Sequence, residues 1–131
     1  MAVRAIRGAT QLEHDEREHL LGRVSELVRT LLGDNCLTAD DLISVIFTAT
    51  PDVTAEFPAY AARLLGLVDV PLLCARELDI ADSMPRVIRV MAHVETALSR
   101  AEITHVYLHG AASLRRDLSR VASHESDSGK K

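Results

Sequence analysis

The run from Asp15 to Leu32 places Leu20, Leu21, Val24, Leu27, Val28, Leu31 and Leu32 at helical spacing, on one stripe. A helix with one apolar stripe must bury it against another element, so the rest of the chain has to supply an apolar surface of matching length. Asp15 followed by Glu18 resembles a capping signature, and Gly33 is placed to stop the helix. The segments around it read as strands. Residues 2–10 alternate, with Val3, Ala5 and Arg7 on one face and Ala2, Arg4 and Ile6 on the other, ending near Gly8. Leu42–Ala49 is a nearly continuous apolar strand expected to be covered on both faces. Val70–Ala75, Arg86–Val94 and His105–His109 supply three more, and Pro58–Leu65 a second helix closed by Gly66. Leu114–Arg120 reads as a last helical turn. Five strands and two main helices in mixed order predict an α+β fold, a mixed β-sheet with helices packed on one side. A single domain over 1–121 and a flexible C-terminal tail over 122–131 are expected.

Composition narrows the function. The chain has 131 residues and a net charge of -4, and aromatic residues make up only 3%. A basic groove with stacking platforms is therefore missing, and no nucleic-acid partner is expected. No apolar stretch reaches the length of a membrane span, so no membrane association is expected either. Cys36 and Cys74 are too few for a disulfide framework and lack metal-ligand spacing, consistent with a reduced, cytoplasmic protein.

Arginine within strands is the informative anomaly. Arg89 lies between Val87 and Met91 on one strand face, and Arg7 shares a face with Val3 and Ala5. A guanidinium stays charged, so it needs an anion or several acceptors wherever it is shielded from water. Pattern alone favours a strand end reaching solvent or a structural ion pair. The sharper alternative is convergence of several arginines on an anionic ligand, with Arg63 and the Arg115-Arg116 pair as further candidates. Taken singly, Cys74 reads as a small buried side chain and Glu77 as a surface carboxylate. His105, Tyr107 and His109 would share one strand face, but no thiolate or carboxylate partner is signposted, so no metal site is expected.

Taken together, several segments resemble the monofunctional AroH-type chorismate mutases. They are Arg4-Ala-Ile-Arg-Gly-Ala-Thr10, Thr48-Ala-Thr-Pro-Asp52, Phe57-Pro-Ala59, Cys74-x-x-Glu77-Leu-Asp79, Ile88-Arg-Val-Met91 and His105-Val-Tyr-Leu108. The resemblance covers nearly the whole chain, from about residue 1 to about residue 118. The resemblance implies a pseudo-α/β barrel assembled as a homotrimer, with active sites between subunits that convert chorismate to prephenate without a cofactor or metal. It implies Arg89, Glu77 and Arg7 as catalytic residues. Tyr107, Cys74, Phe57, Arg63, Leu72, Leu73, Leu114 and Arg115 would bind substrate. Arg7, Arg89 and Tyr107 would come from one chain, and Phe57, Leu72, Leu73, Cys74 and Glu77 largely from another. Tyr60 departs from the pattern, standing where the family often carries a lysine. A trimeric carboxylate-binding protein, or an imine- or enamine-hydrolysing enzyme of similar architecture, would share the general fold. The combination of Arg7, Cys74-x-x-Glu77, Arg89 and Tyr107 favours the mutase.

Overall fold

The computed structural model describes residues 1–114. The helical turn expected beyond Leu114, Arg115 and the tail over 122–131 lie outside the described residues. The elements are β1 (Ala2–Gln11), α1 (Arg17–Asp34), β2 (Leu42–Ala49), α2 (Pro58–Leu64), β3 (Leu72–Arg76), β4 (Val87–Thr96) and β5 (Val106–Tyr107). Short 3-10 turns occupy Ala39–Asp41, Arg100–Glu102 and His109–Ala111. The five strands form one mixed sheet in the order β3-β2-β4-β1-β5. β4 runs antiparallel to β1 and β2, while β3 and β5 lie parallel to their neighbours.

One sheet face carries Ile6, Val45, Phe47, Ile88, Val90, Ala92 and Val94, all buried. Against it lie the α1 stripe, Leu20, Leu21, Val24, Leu27, Val28 and Leu31, and the α2 alanines Ala59, Ala61 and Ala62. Both helices therefore sit on one side, as their single apolar stripes require. The strand expected to end near Gly8 continues to Gln11. Gly8 instead marks a close approach. A Cβ there would lie 3.0 Å from the Val106 carbonyl oxygen and from Val90 Cγ1, and 3.1 Å from Leu27 Cδ1.

Three local expectations change. The α1 cap is Glu16, whose carboxylate accepts from the Glu18 and His19 N–H groups, because Asp15 is engaged elsewhere. The helix passes Gly33 and ends at buried Asn35. The Asn35 amide donates to the Leu31 and Thr104 carbonyls and accepts from the Thr104 N–H. Gly66 does close α2, with φ of +99°. The expected strand His105–His109 shrinks to Val106–Tyr107, since His109 turns into a 3-10 segment with φ of +53°. The three polar rings thus share no strand face. His105 Nδ1 accepts the Arg7 N–H, and His109 pairs with Glu26 at 2.7 Å. Among the described residues no group of three His, Cys, Asp or Glu side chains could hold a metal ion. No helix among them is long and apolar enough to cross a membrane.

β2 departs from expectation in one further respect. Val45 and Phe47 are buried against the core, but Ile43 is exposed at the irregularity between Leu42 and Ser44, and Ile46 on the other face is half-buried. Within one chain the outer sheet face is covered only at the Ala9–Val87 end, and elsewhere it carries the exposed apolar residues Val3, Met91 and Leu73.

Candidate active site

The outward residues of β4 and its neighbours build the site. Val87, Arg89 and Met91 alternate onto the outer face. Register places Ala9 and Thr48 on either side of Arg89, and Arg7 and Ile46 on either side of Met91. β3 continues one residue past its last pair, because the Glu77 N–H donates to the Ala49 carbonyl at 2.9 Å. That bond aims the Glu77 carboxylate back over β2. Glu77 Oε2 accepts from the Thr48 hydroxyl at 2.6 Å, and Oε1 accepts from Arg89 Nε at 3.3 Å.

The two partners differ in exposure. The Glu77 side chain is 17% exposed and that of Arg89 46%. An ion pair this open contributes about 0–1 kcal/mol to stability, so its main effect is to orient the guanidinium. The contact uses Nε, and the terminal guanidinium nitrogens have no partner among the described residues. Arg89 is among the residues that line a cleft of about 500 Å³, with Thr48, Arg76, Glu77, Ile80 and Met84. A neighbouring cleft of about 630 Å³ is lined by Phe57, Pro58, Cys74 and the 53–56 segment, and shares Thr50 and Arg76 with the first.

A second, small core lies on the same sheet face as Arg89. Ala9, Val87 and Ala111 are buried there, with Met84, Tyr107 and Leu114 packed around them. Since Ala9 pairs with both Arg89 and Tyr107, this cluster seats Tyr107 and Leu114 beside the β4 end that carries Arg89. Arg7 is exposed, two residues along β1 from Ala9. One chain thus collects Arg7, Arg89, Glu77, Tyr107 and Leu114 on one face.

Other expected residues lie apart from this group. Leu72 and Cys74 are half-buried, Leu73 is exposed, and Phe57 stands 70% exposed at the rim of the larger cleft. Arg63 is exposed on α2 and lines neither cleft. Tyr60 is half-buried against the main core, beneath the Arg17 guanidinium. Cys74 and Tyr107 occupy opposite sheet edges, four inter-strand spacings or roughly 19 Å apart. No small substrate touches both within one chain. The Arg89–Glu77 pair, by contrast, forms within a single chain, although the resemblance implied that its members come from different subunits. The reason is the order β3-β2-β4, which leaves only β2, with Thr48, between them.

Sequence reading missed Thr48 and Arg76 as members of the site. Thr48 alternates with Ile46 on the outer face, but its position beside Arg89 depends on non-local register. Near the larger cleft, Glu56 is held below the usual carboxylate range, first by the Phe57 N–H and then by the Arg17 guanidinium.

The family model for chorismate mutase type I matches residues 3–118. The chain belongs to this family. As a type I chorismate mutase it is an isomerase, which sets aside the binding-protein and hydrolase alternatives. Two similar relatives are both described as chorismate mutase AroH. The Bacillus subtilis (strain 168) protein is 39% identical over 120 residues, covering 91% of this chain and 94% of that one. The Thermus thermophilus protein is 45% identical over 117 residues, covering 88% and 96%. A solved chorismate mutase structure from Clostridium thermocellum is 41% identical, with a TM-score of 0.83 over 84% of this chain and 98% of that one.

Proposed function

We propose that this chorismate mutase rearranges chorismate to prephenate at clefts completed by neighbouring copies in a homotrimer, with Arg89 as the principal catalytic group. The observation that carries this is the Arg89 guanidinium, held through Nε by a Glu77 carboxylate that Thr48 holds in turn, in the lining of an open cleft. The reaction is a concerted 3,3-sigmatropic shift, in which a C–O bond breaks as a C–C bond forms. No atom enters or leaves and no proton moves, so the protein's work is to select the compact conformer and to stabilise charge separation. Arg89 donates to the ether oxygen as negative charge grows there, and a donor already oriented by Glu77 needs little reorganisation. Arg7 and Tyr107 hold the side-chain carboxylate folded over the ring. Glu77 accepts from the ring hydroxyl and faces the electron-poor ring.

Cys74 of the neighbouring chain helps to orient that hydroxyl, and Phe57 and Leu114 form apolar walls. Leu72, Leu73, Arg63 and Arg115 complete the rim. On this reading Glu77 acts with the Arg89 of its own chain, and the neighbour's contribution narrows to the β3 edge and the Phe57 segment. Two features support the assembly: the exposed apolar residues Val3, Met91 and Leu73 on the outer face, and the roughly 19 Å between the Tyr107 and Cys74 edges. Purified protein given chorismate alone is expected to consume it with equimolar appearance of prephenate, followed by absorbance and chromatography. Chorismate left at the rate of the uncatalysed reaction would overturn the proposal.

A further inference from the structure

The segment just before and within the first turn of α1 grips one wall of the larger cleft. Asp15 uses both carboxylate oxygens. Oδ2 accepts from the Thr54 N–H at 3.0 Å and from its hydroxyl at 2.6 Å, and Oδ1 accepts from the Ala55 N–H at 3.0 Å. Arg17 Nε donates to Glu56 Oε1 at 3.0 Å, and the same guanidinium lies 5.3 Å from the centroid of the Tyr60 ring on α2. The second Glu56 oxygen accepts the N–H of Phe57 itself at 2.9 Å. The consecutive residues 54–57 are thus each tied, directly or through Glu56, to residues 15 and 17.

Phe57 is 70% exposed, so packing does not fix it, and the 53–57 segment contains no helix or strand. An apolar wall on such a segment is useful to a ligand only where its backbone is held, because otherwise ordering it opposes binding. Asp15 and Arg17 line neither cleft, so they touch no ligand there. We propose that Asp15 and Arg17 are positioning residues that hold the Phe57 wall in place for the substrate. The inference rests on the chorismate reading of the site. The state of Asp15 agrees with it: burial raises its carboxyl, yet the Thr54 hydroxyl and the Thr54 and Ala55 N–H groups outweigh burial and hold it below its ordinary value.

The chain contains no tryptophan, so Phe57→Trp makes a single emitter on the wall itself. In that parent, Asp15→Asn and Arg17→Ala should lower the emission anisotropy while far-UV circular dichroism stays unchanged. In the otherwise native protein the same substitutions should raise KM for chorismate by roughly three- to tenfold with kcat within about twofold, since they loosen a wall and leave the Arg89 donor in place. Arg17→Lys, which keeps a cation for Glu56 and Tyr60, should restore most of both signals. Thr54→Val, which deletes only the hydroxyl bond, serves as a milder variant should Asp15→Asn not fold. Unchanged anisotropy and unchanged KM across these variants would overturn the proposal, even with normal prephenate formation by the native protein. Absence of prephenate formation by the native protein would instead overturn the site reading beneath it, so the two failures are distinct.

Discussion

Arg89→Ala is expected to lower kcat by about 10²–10³-fold, the cost of removing one preorganised donor from a developing oxyanion, or about 3–4 kcal/mol. The loss should fall on turnover and not on folding. Arg89 points out of the sheet, its side chain is nearly half exposed, and its pair with Glu77 is too open to add much stability. Glu77 keeps its hydrogen bond from Thr48 when the arginine is gone, so no buried carboxylate is left without a partner. Arg89→Lys should lose almost as much. A guanidinium can donate Nε to Glu77 while its terminal nitrogens meet the ether oxygen, whereas an ammonium has one nitrogen for both tasks. The measurement is chorismate consumption under saturating substrate, beside thermal melts of both variants. Turnover near that of the native protein in either variant would contradict the role given to Arg89.

Met91→Lys is expected to dissolve the assembly and, with it, activity. On the outer face Met91 has Arg7 opposite on one side, Ile46 on the other, and Arg89 two residues along. A lysine there finds cations and apolar groups but no carboxylate beside it. In an isolated chain the position is 38% exposed, so the ammonium stays hydrated and the fold survives. Between copies it would be desolvated without a counter-charge, at a cost of several kcal/mol per ion. Sedimentation should therefore report monomers with native circular dichroism. Prephenate formation should fall at least about 10²-fold, because the cleft loses the wall supplied by the neighbouring chain. A trimer of native activity would show that the outer face is not the surface that joins the copies.

The sequence exposed the parts of this protein that are governed by local periodicity. The α1 stripe, the extent of the apolar β2 run and the Gly66 stop each follow from residues a few positions apart, and the structure places them as read. Extent was less legible where tertiary partners decide it. β1 runs past Gly8 because that glycine is required for close packing under Leu27 and Val106, not for a turn. α1 begins one residue late for its apparent Asp15 cap because the Asp15 carboxylate is taken by Thr54 and Ala55, about forty residues along the chain. His109 leaves the strand to face Glu26 on α1. The same limit holds at the site. Arg89 announced itself as a charge in an apolar strand, but Thr48 looked ordinary, since only the β3-β2-β4 order sets it between Arg89 and Glu77. The division of the site between chains was also hidden, because it depends on which residues share a sheet edge.

If chorismate rearranges in a cleft whose Arg89 and Phe57 belong to different chains, two inactive variants should restore each other when mixed. Arg89→Ala removes the donor from one side, and Phe57→Asp sets a carboxylate against a dianionic substrate on the other. Unfolded together in equal amounts and refolded, the chains assort at random into trimers. A site is intact only where the chain giving Arg89 is a Phe57→Asp copy and its neighbour an Arg89→Ala copy, so about a quarter of native activity should return. Mixtures no more active than either variant alone would instead place both residues of each site in one chain.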